Sequence, residues 1–108
     1  MSFNVKSIPV FERQAKRLVK KFPSLKKEIQ ELIDELKEVP EKGTPIGHDC
    51  YKIRLAIASK GKGKSGGARV ITHVYFKYDT VYLLSIYDKS EIATLTDKEI
   101  LELIQNIQ

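Results

Sequence analysis

Hydrophobic residues recur at helical spacing along the first third of the chain. From Pro9 to Phe22 most of them lie three or four positions apart, which is the spacing of one buried helical face. After a short break the same spacing continues from Leu25 to Leu36, and Ser24 stands where a helix N-cap belongs. Because the break is short, the pattern predicts two amphipathic helices that fold back on each other as a helical hairpin.

The second half of the chain changes to alternation of apolar and polar positions, which is typical of half-buried strands. The strands predicted from it are residues 51–58, 70–78 and 81–87, with a further short strand at residues 3–7. Asp79 and Thr80 provide a tight turn, so the three longer strands are expected to form an antiparallel meander. Residues 39–49 are rich in proline and glycine and are predicted to be a connecting loop.

A capping-box sequence at residues 96–99 predicts that a last short helix begins there and buries Ile100, Leu101 and Ile104. Two predicted helices precede the longer strands and one follows them. This separation of helices from strands favours an α+β fold in a single domain, residues 1–108. The helices are expected to cover one face of the sheet, and the other face is expected to be open.

Composition narrows the possible partners and the compartment. The 108 residues carry 19 Lys and Arg against 14 Asp and Glu, a net charge of +5 with a pI near 9.3. Nucleic acid, an acidic protein and an anionic membrane are all compatible with that sign. The N-terminus lacks the apolar core of a signal peptide, and no apolar run approaches the ~20 residues of a membrane span. The single Cys50 excludes an internal disulfide framework, so a reducing cytoplasm is the expected location.

One segment between two predicted strands combines glycine with positive charge. Residues 59–69, the glycine-lysine loop, read SKGKGKSGGAR and contain four glycines, four cationic side chains and no acid. Glycine lets the backbone come close to a ligand, and the interleaved lysines supply charge without bulk near the main chain. The loop therefore suits a polyanion. The alternative is a solvated, lysine-rich hairpin loop that blunts a sheet edge.

Two nucleotide-binding motifs are excluded by the context of this loop. Gly61, Gly63 and Gly66 satisfy a literal G-x-G-x-x-G, but that fingerprint requires a helix after the glycines, and a strand is predicted there. Lys64 and Ser65 follow Gly63 as in a P-loop, yet the earlier glycine of that motif is missing and no helix follows. The loop is therefore not expected to hold a nucleotide in either familiar way.

The open face is expected to be cationic and rich in tyrosine. Alternation places on or near it the side chains of Lys52, Arg54, Lys60, Lys62, Lys64, Arg69, His73, Tyr75, Tyr87 and Lys89. No paired carboxylates and no serine triad accompany them. A metal site is not expected either, because His48, Asp49 and Cys50 are adjacent and no second cluster completes a set of ligands. Such a surface can bind RNA through phosphate neutralisation and base stacking.

The same side chains could also cleave RNA without a metal. The ribose 2′-OH would attack the adjacent phosphate, which requires a base, a cation for the phosphate oxygens and a proton donor for the departing 5′-oxygen. A guanidinium grips two oxygens at once, so Arg69 suits the phosphate, and a lysine among several cations can act as the base. Tyr87, Lys89 and His73 are candidate acids, although His73 is better explained as an ordinary strand residue.

The order of these segments resembles the RelE/ParE superfamily of toxins from toxin-antitoxin pairs, and in particular its HigB-like branch. The resemblance is carried by the helical stretch FERQAKRLVKKFPSLKKEIQELIDELKE, then YKIRLAI, GKGKSGGARVI and VYLLSIYDKSE, which together cover nearly the whole chain. It implies a RelE-like fold with a twisted, mainly antiparallel sheet, an N-terminal helical hairpin on one face and a short C-terminal helix. It also implies a ribosome-dependent endoribonuclease that cleaves mRNA and arrests growth.

Residue roles follow from the same resemblance. Arg69 matches the family's phosphate-binding arginine, Lys62 and Lys64 match the basic residues just upstream of it, and Lys89 matches the basic residue that ends the next strand. Ser90 stands where many relatives have Asn or Arg, and the terminal tyrosine that acts as the acid in some members has no counterpart after Lys89. The resemblance therefore does not assign the acid, and Tyr87 is one candidate. Lys52, Arg54, Lys60, His73 and Tyr75 are predicted to contact RNA.

The resemblance implies the ribosome, mRNA and a cognate antitoxin of the helix-turn-helix type as partners, with no cofactor, metal or membrane. The main alternative is a ParE-like toxin that inhibits DNA gyrase by binding it, because the two groups share a fold. A third possibility is an RNA-binding or antitoxin-sequestering domain without catalysis. The cationic loop and Arg69 favour RNA cleavage over gyrase binding.

Overall fold

A five-stranded mixed sheet forms the centre of the chain in a computed structural model that describes residues 2–61, 63, 66–92 and 94–107. The strands lie in the order β1-β5-β4-β3-β2. The elements are β1 (Asn4–Ser7), α1 (Pro9–Lys21), α2 (Leu25–Glu38), β2 (Thr44–Gly47), β3 (Cys50–Leu55), β4 (Ala68–Tyr75), β5 (Thr80–Asp88) and α3 (Asp97–Gln105), with 3-10 turns at Ala58–Lys60 and Phe76–Tyr78.

The predicted helical hairpin and α+β fold are confirmed. Leu18 of α1 and Leu25, Leu32 and Leu36 of α2 are completely or almost completely buried, as their helical spacing requires. They belong to one core together with the sheet residues Ile53, Val70 and Ile86, which face one another across β3, β4 and β5. We call this side of the sheet the helix face, and the side that carries Arg69 and Ile71 the site face.

The prediction that residues 39–49 are a loop is wrong for its second part. β2 pairs antiparallel with β3 at one edge of the sheet, and the two are joined at His48 and Asp49, which both have positive φ (57° and 56°). Proline is tolerated in an edge strand because its missing N–H can face solvent instead of a ladder partner. Pro45 therefore suggested a loop in the sequence while occupying an edge strand in the structure.

The opposite half of the sheet is closed by β1, which confirms the short strand predicted at the N-terminus. β1 runs parallel to β5, with Val5 opposite Val81. Beyond the end of β1 the free edge of β5 is completed by a side chain: Gln14 Oε1 accepts from the Ile86 N–H at 3.0 Å and from Ser85 Oγ at 3.1 Å. This glutamine continues the pairing of β5 where β1 stops.

A bulge in β5 alters the alternation that the sequence suggested. Ile71 lies opposite Ser85 but Thr72 lies opposite Leu83, so Leu84 has no residue across from it. Leu83 therefore joins the helix face, where it borders a groove together with Phe11 of α1. Strict alternation along residues 81–87 would place Leu83 on the same face as Ser85 and Tyr87, and the extra residue in the strand reverses that placement.

α3 begins with the predicted capping box and lies on the site face. Thr96 Oγ1 accepts from the Glu99 N–H at 3.2 Å, and Glu99 Oε1 accepts from the Thr96 N–H at 3.0 Å. Leu95 and Ile100 border a small cavity together with Ile71, which is only 1% exposed. The expectation of an open face is therefore wrong for its centre. No helix in the described part of the chain is long and apolar enough to span a membrane.

Candidate functional site

Three predicted site residues lie in one row across the site face. Arg69 of β4 is opposite Arg54 of β3 on one side and Tyr87 of β5 on the other. Residues paired across neighbouring strands project to the same face, so the two arginines and the tyrosine are side-chain neighbours. The row stands at the end of the sheet where β4 emerges from the glycine-lysine loop.

Two of the three residues in this row are buried. Arg69 is 4% exposed and donates from Nη1 to the Ala68 carbonyl at 3.1 Å. Tyr87 is 2% exposed, and its hydroxyl has no hydrogen-bond partner among the described residues. Burial raises the pKa of Tyr87, and the positive charge of Arg69 offsets part of that increase. The phenol is therefore held in its protonated form, as a proton donor beside a guanidinium.

The first end of the glycine-lysine loop is held by the start of α2. The Ala58 N–H donates to Glu28 Oε2 at 2.8 Å, and the Ser59 N–H donates to Ser24 Oγ at 2.9 Å. Ser24 occupies the predicted N-cap position but its side chain makes no cap bond to α2. Its hydroxyl accepts from the loop instead, so the beginning of α2 anchors the loop.

The second end of the loop is fixed by close backbone contact at Gly67. A Cβ added to Gly67 would lie 2.2 Å from the Leu55 carbonyl oxygen and 3.1 Å from the Ala56 Cα. The Gly67 carbonyl also accepts from the Lys89 N–H at 3.1 Å. Glycine is needed here because only a residue without a side chain allows β3 to approach this closely.

A buried ion pair links the first end of the loop to the end of β5. Lys60 Nζ lies 2.5 Å from Asp88 Oδ1, with the lysine side chain 11% and the aspartate side chain 1% exposed. Ser90 donates to the same oxygen from its N–H at 2.9 Å and from its hydroxyl at 2.8 Å. Burial alone would raise the pKa of Asp88, but the hydrogen bonds from Lys60 and Ser90 outweigh it and lower the pKa to about 2.

The predicted site residues are thus only partly brought together. Arg54, Arg69 and Tyr87 share the row, and the exposed Lys89 follows β5 beside it. The ammonium group of Lys60 is engaged with Asp88. Lys62 and Lys64 lie outside the described residues, so their roles stay predictions.

The other predicted RNA contacts lie farther along the sheet. Tyr75 lies six positions beyond Arg69 on β4, a distance of about 20 Å at the rise of a strand. His73 lies near Tyr75, with 6.2 Å between ring centroids, and its Nδ1 is 3.6 Å from Cys50 Sγ. Lys52 Nζ is 3.4 Å from Thr94 Oγ1 at the start of the segment that crosses the site face.

Several residues that shape the site carried no recognised signal in the sequence. Asp88 sits between two candidate catalytic residues, and that position was the one available clue to its importance. Gln14 and Glu28 belong to helices whose patterns are fully explained by amphipathicity, and Ser24 was recognised only as the N-cap of α2. Among the described residues no three His, Cys, Asp or Glu side chains cluster in a way that could hold a metal ion.

Comparison with known proteins identifies the fold. No family model matches the sequence. The structure is similar to E. coli toxin RelE in a double arginine-to-alanine variant in the free state, with a TM-score of 0.62, 20% identity and full coverage of both chains. It is also similar to the isolated E. coli RelE toxin, with a TM-score of 0.57, 18% identity and coverage of 98% of this chain and 100% of the other.

A third similar structure is the same RelE variant in complex with an antitoxin RelBc peptide. Its TM-score is 0.58 at 20% identity, and all of both chains is covered. Identities this low establish the fold and leave function to be argued from the site. The predicted RelE-like fold is therefore confirmed, and assignment to the HigB-like branch stays a prediction.

Proposed function

We propose that this chain, which has the RelE-like fold, is the toxin of a toxin-antitoxin pair and cleaves mRNA on the ribosome without a metal. The observation that carries the proposal is the pair formed by Arg69 and Tyr87. A buried guanidinium stands beside a buried hydroxyl that has no hydrogen-bond partner among the described residues. A phosphate oxygen can accept from both groups, which offers a use for a hydroxyl that is otherwise costly to bury.

The proposed reaction is an internal transfer at one phosphodiester. A base removes the proton of the ribose 2′-OH, the 2′-oxygen forms a bond to phosphorus, and the bond from phosphorus to the 5′-oxygen breaks. An acid returns a proton to the departing 5′-oxygen, which leaves a 2′,3′-cyclic phosphate and a 5′-OH. Arg69 neutralises the phosphate oxygens, Lys62 or Lys64 acts as the base, and Tyr87 or Lys89 acts as the acid.

Burial of Arg69 and Tyr87 sets a condition for this reaction. Arg69 and Tyr87 are at most 4% exposed, so RNA reaches them only after the groups that cover them have moved. We infer that binding to the ribosome supplies that rearrangement, which would make cleavage depend on the ribosome. The chain's net charge of +5 favours association with the RNA-rich ribosomal surface.

We further propose that the chain is neutralised by a cognate antitoxin. One of the similar structures is a RelE toxin bound to an antitoxin peptide. The helix-turn-helix type of the antitoxin rests on the resemblance to the HigB-like branch.

Primer-extension mapping of an mRNA incubated with the purified protein, with and without translating ribosomes, tests the nuclease proposal. We expect cuts within codons that require ribosomes and that disappear in Arg69→Ala. Arg13→Ala on α1 is the matched control, because it makes the same change at a position outside the proposed site. Intact mRNA in every lane, from protein that still arrests growth, would refute the proposal.

The runner-up is a ParE-like toxin that inhibits DNA gyrase by direct binding. The burial of Arg69 and Tyr87 favours this alternative, since a protein that only binds gyrase needs no accessible phosphate site. A gyrase supercoiling assay separates the two functions. Inhibition of supercoiling by wild-type protein and by Arg69→Ala alike, with mRNA left intact, would establish the alternative.

A further inference from the structure

We propose that Lys60 and Asp88 are positioning residues for the site, joined so that the first end of the glycine-lysine loop keeps a fixed place beside the end of β5. The proposal rests on the proposed nuclease function for its catalytic consequence. Its structural part stands on the contacts of the two side chains. Lys60 was predicted to contact RNA, and the structure suggests a different role for it.

The ammonium group of Lys60 is poorly placed to bind a phosphate. Its side chain is 11% exposed, and its Nζ lies 2.5 Å from Asp88 Oδ1. The same ammonium group lies 5.6 Å from the centroid of the Phe22 ring at the end of α1. A cation held between a carboxylate and an aromatic ring would have to leave both partners to meet RNA.

Asp88 connects three parts of the chain that border the site. It belongs to β5 and lies opposite Ala68, the residue before Arg69. Its Oδ1 accepts from Lys60 at the first end of the loop and from Ser90, two residues further along the chain. Tyr87 and Lys89 are its immediate neighbours in sequence. A shift of the Asp88 carboxylate would therefore be transmitted to the row and to Lys89.

The other anchors of the loop hold its two ends separately. On the first side, the Ala58 and Ser59 N–H groups donate to Glu28 and Ser24 at the start of α2. On the second side, the Lys89 N–H holds the Gly67 carbonyl. Among the described residues, Lys60 and Asp88 form the ion pair that ties these two sides of the loop to each other. A displacement of about 1 Å in a site can cost about 100-fold in rate, so such a tie has catalytic consequences.

The double variant Lys60→Met/Asp88→Asn isolates this role. It removes the tie, keeps an oxygen at position 88 for the two bonds from Ser90, and leaves no buried charge without a partner. Replacing a buried ion pair by neutral groups of similar volume is often close to neutral for stability. The matched control is Lys37→Met/Asp34→Asn, which makes the same two changes in an exposed ion pair of α2, where the 3.7 Å contact joins side chains that are 47% and 63% exposed.

Two readouts are measured on folded protein. Amide hydrogen exchange by NMR reports on Gly61, whose N–H donates to Ile57 and Ala58, and on Lys89. We expect exchange at both amides to become about tenfold faster in the double variant and to stay unchanged in the control. For cleavage of mRNA on programmed ribosomes, we expect kcat of the double variant to fall about 10- to 100-fold with KM unchanged. The site residues lose their positions, whereas RNA binding is kept. Lys60→Arg keeps the ion pair, so we expect wild-type amide exchange and wild-type cleavage in this variant.

Exchange and cleavage at wild-type rates in the double variant would overturn the proposal. A loss of mRNA cleavage that comes from a raised KM, with amide exchange unchanged, would also overturn the proposal. Lys60 would then bind RNA directly. If wild-type protein cleaves no mRNA, the nuclease proposal fails and the exchange measurement alone decides whether the tie exists. Should the double variant not fold, Lys60→Leu/Asp88→Asn takes its place in the same assays, because it also removes the ion pair and leaves no buried charge without a partner.

Discussion

Gly67→Ala tests whether the close approach of the glycine-lysine loop to β3 holds the structure as tightly as the distances imply. The new methyl carbon would lie 2.2 Å from the Leu55 carbonyl oxygen, well inside van der Waals contact, and 3.1 Å from the Ala56 Cα. Both obstacles are backbone atoms, so no side chain can turn aside to make room. The loop end and the end of β3 must separate.

Two contributions make up the free-energy cost of this separation. Overpacking that forces the backbone to shift costs about 1–3 kcal/mol. Loss of the hydrogen bond from the Lys89 N–H to the Gly67 carbonyl adds about 0.5–1.5 kcal/mol. We therefore expect the free energy of unfolding to fall by about 2–4 kcal/mol, which is a large part of the ~5–15 kcal/mol typical of a domain.

Urea unfolding followed by circular dichroism measures this loss, with an unchanged m-value as the sign that the folded state is intact. Gly61→Ala is the matched control in the same loop. Its added Cβ meets no atom of the described residues within 4 Å, so the expected cost is the strain of φ +74°, about 1–2 kcal/mol. A loss in Gly67→Ala smaller than that in Gly61→Ala would refute the steric argument.

Three further substitutions test other parts of the structure. Tyr87→Phe removes a buried hydroxyl that has no hydrogen-bond partner among the described residues. We therefore expect urea unfolding to show that the free energy of unfolding rises by about 1 kcal/mol. A fall in the free energy of unfolding would mean that the hydroxyl is hydrogen-bonded. The pKa of Asp88 falls from 3.8 to about 2 on folding, so this group contributes about 2 kcal/mol above pH 4 that is lost as the pH falls toward 2. Between pH 6 and pH 2.5 the free energy of unfolding should therefore depend less on pH in Asp88→Asn than in the wild-type protein. At neutral pH this variant should also be about 3–5 kcal/mol less stable, because Lys60 loses its counter-charge. Thr96→Ala removes the cap of α3 and should cost about 1 kcal/mol by urea unfolding, whereas Thr96→Ser should cost almost nothing.

Most of the fold was predictable from local patterns. The helical stripe that ends in Leu36, the capping box at Thr96 and the alternation around Ile53 are local signals, and each element formed where its signal lies. β2 was missed because proline and glycine are common to loops and to edge strands. The bulge at Leu84 was missed because one extra residue in a strand leaves no mark on a short alternating pattern.

The candidate site was less predictable because it depends on contacts between distant segments. Alternation correctly placed Arg69 and Tyr87 on one face, but it could not tell that both would be buried. The charge of Lys60 suggested an RNA contact, while its engagement with Asp88 is fixed by the turn at Ala58–Lys60. Sequence spacing identifies which face a side chain joins, and tertiary packing decides what that side chain meets.

The parallel pairing of β1 with β5 has a consequence for the order of folding. Asn4 lies opposite Thr80, so most of the chain must be made and arranged before the first strand has a partner. Closing so long a loop is entropically costly, whereas the meander of β3, β4 and β5 is built from near neighbours. We expect β1 to pair with β5 last, after the rest of the sheet has formed. Pulse-labelled hydrogen exchange during refolding should then protect the amide of Val70 before that of Val5, and the reverse order would show that the N-terminal strand nucleates the sheet.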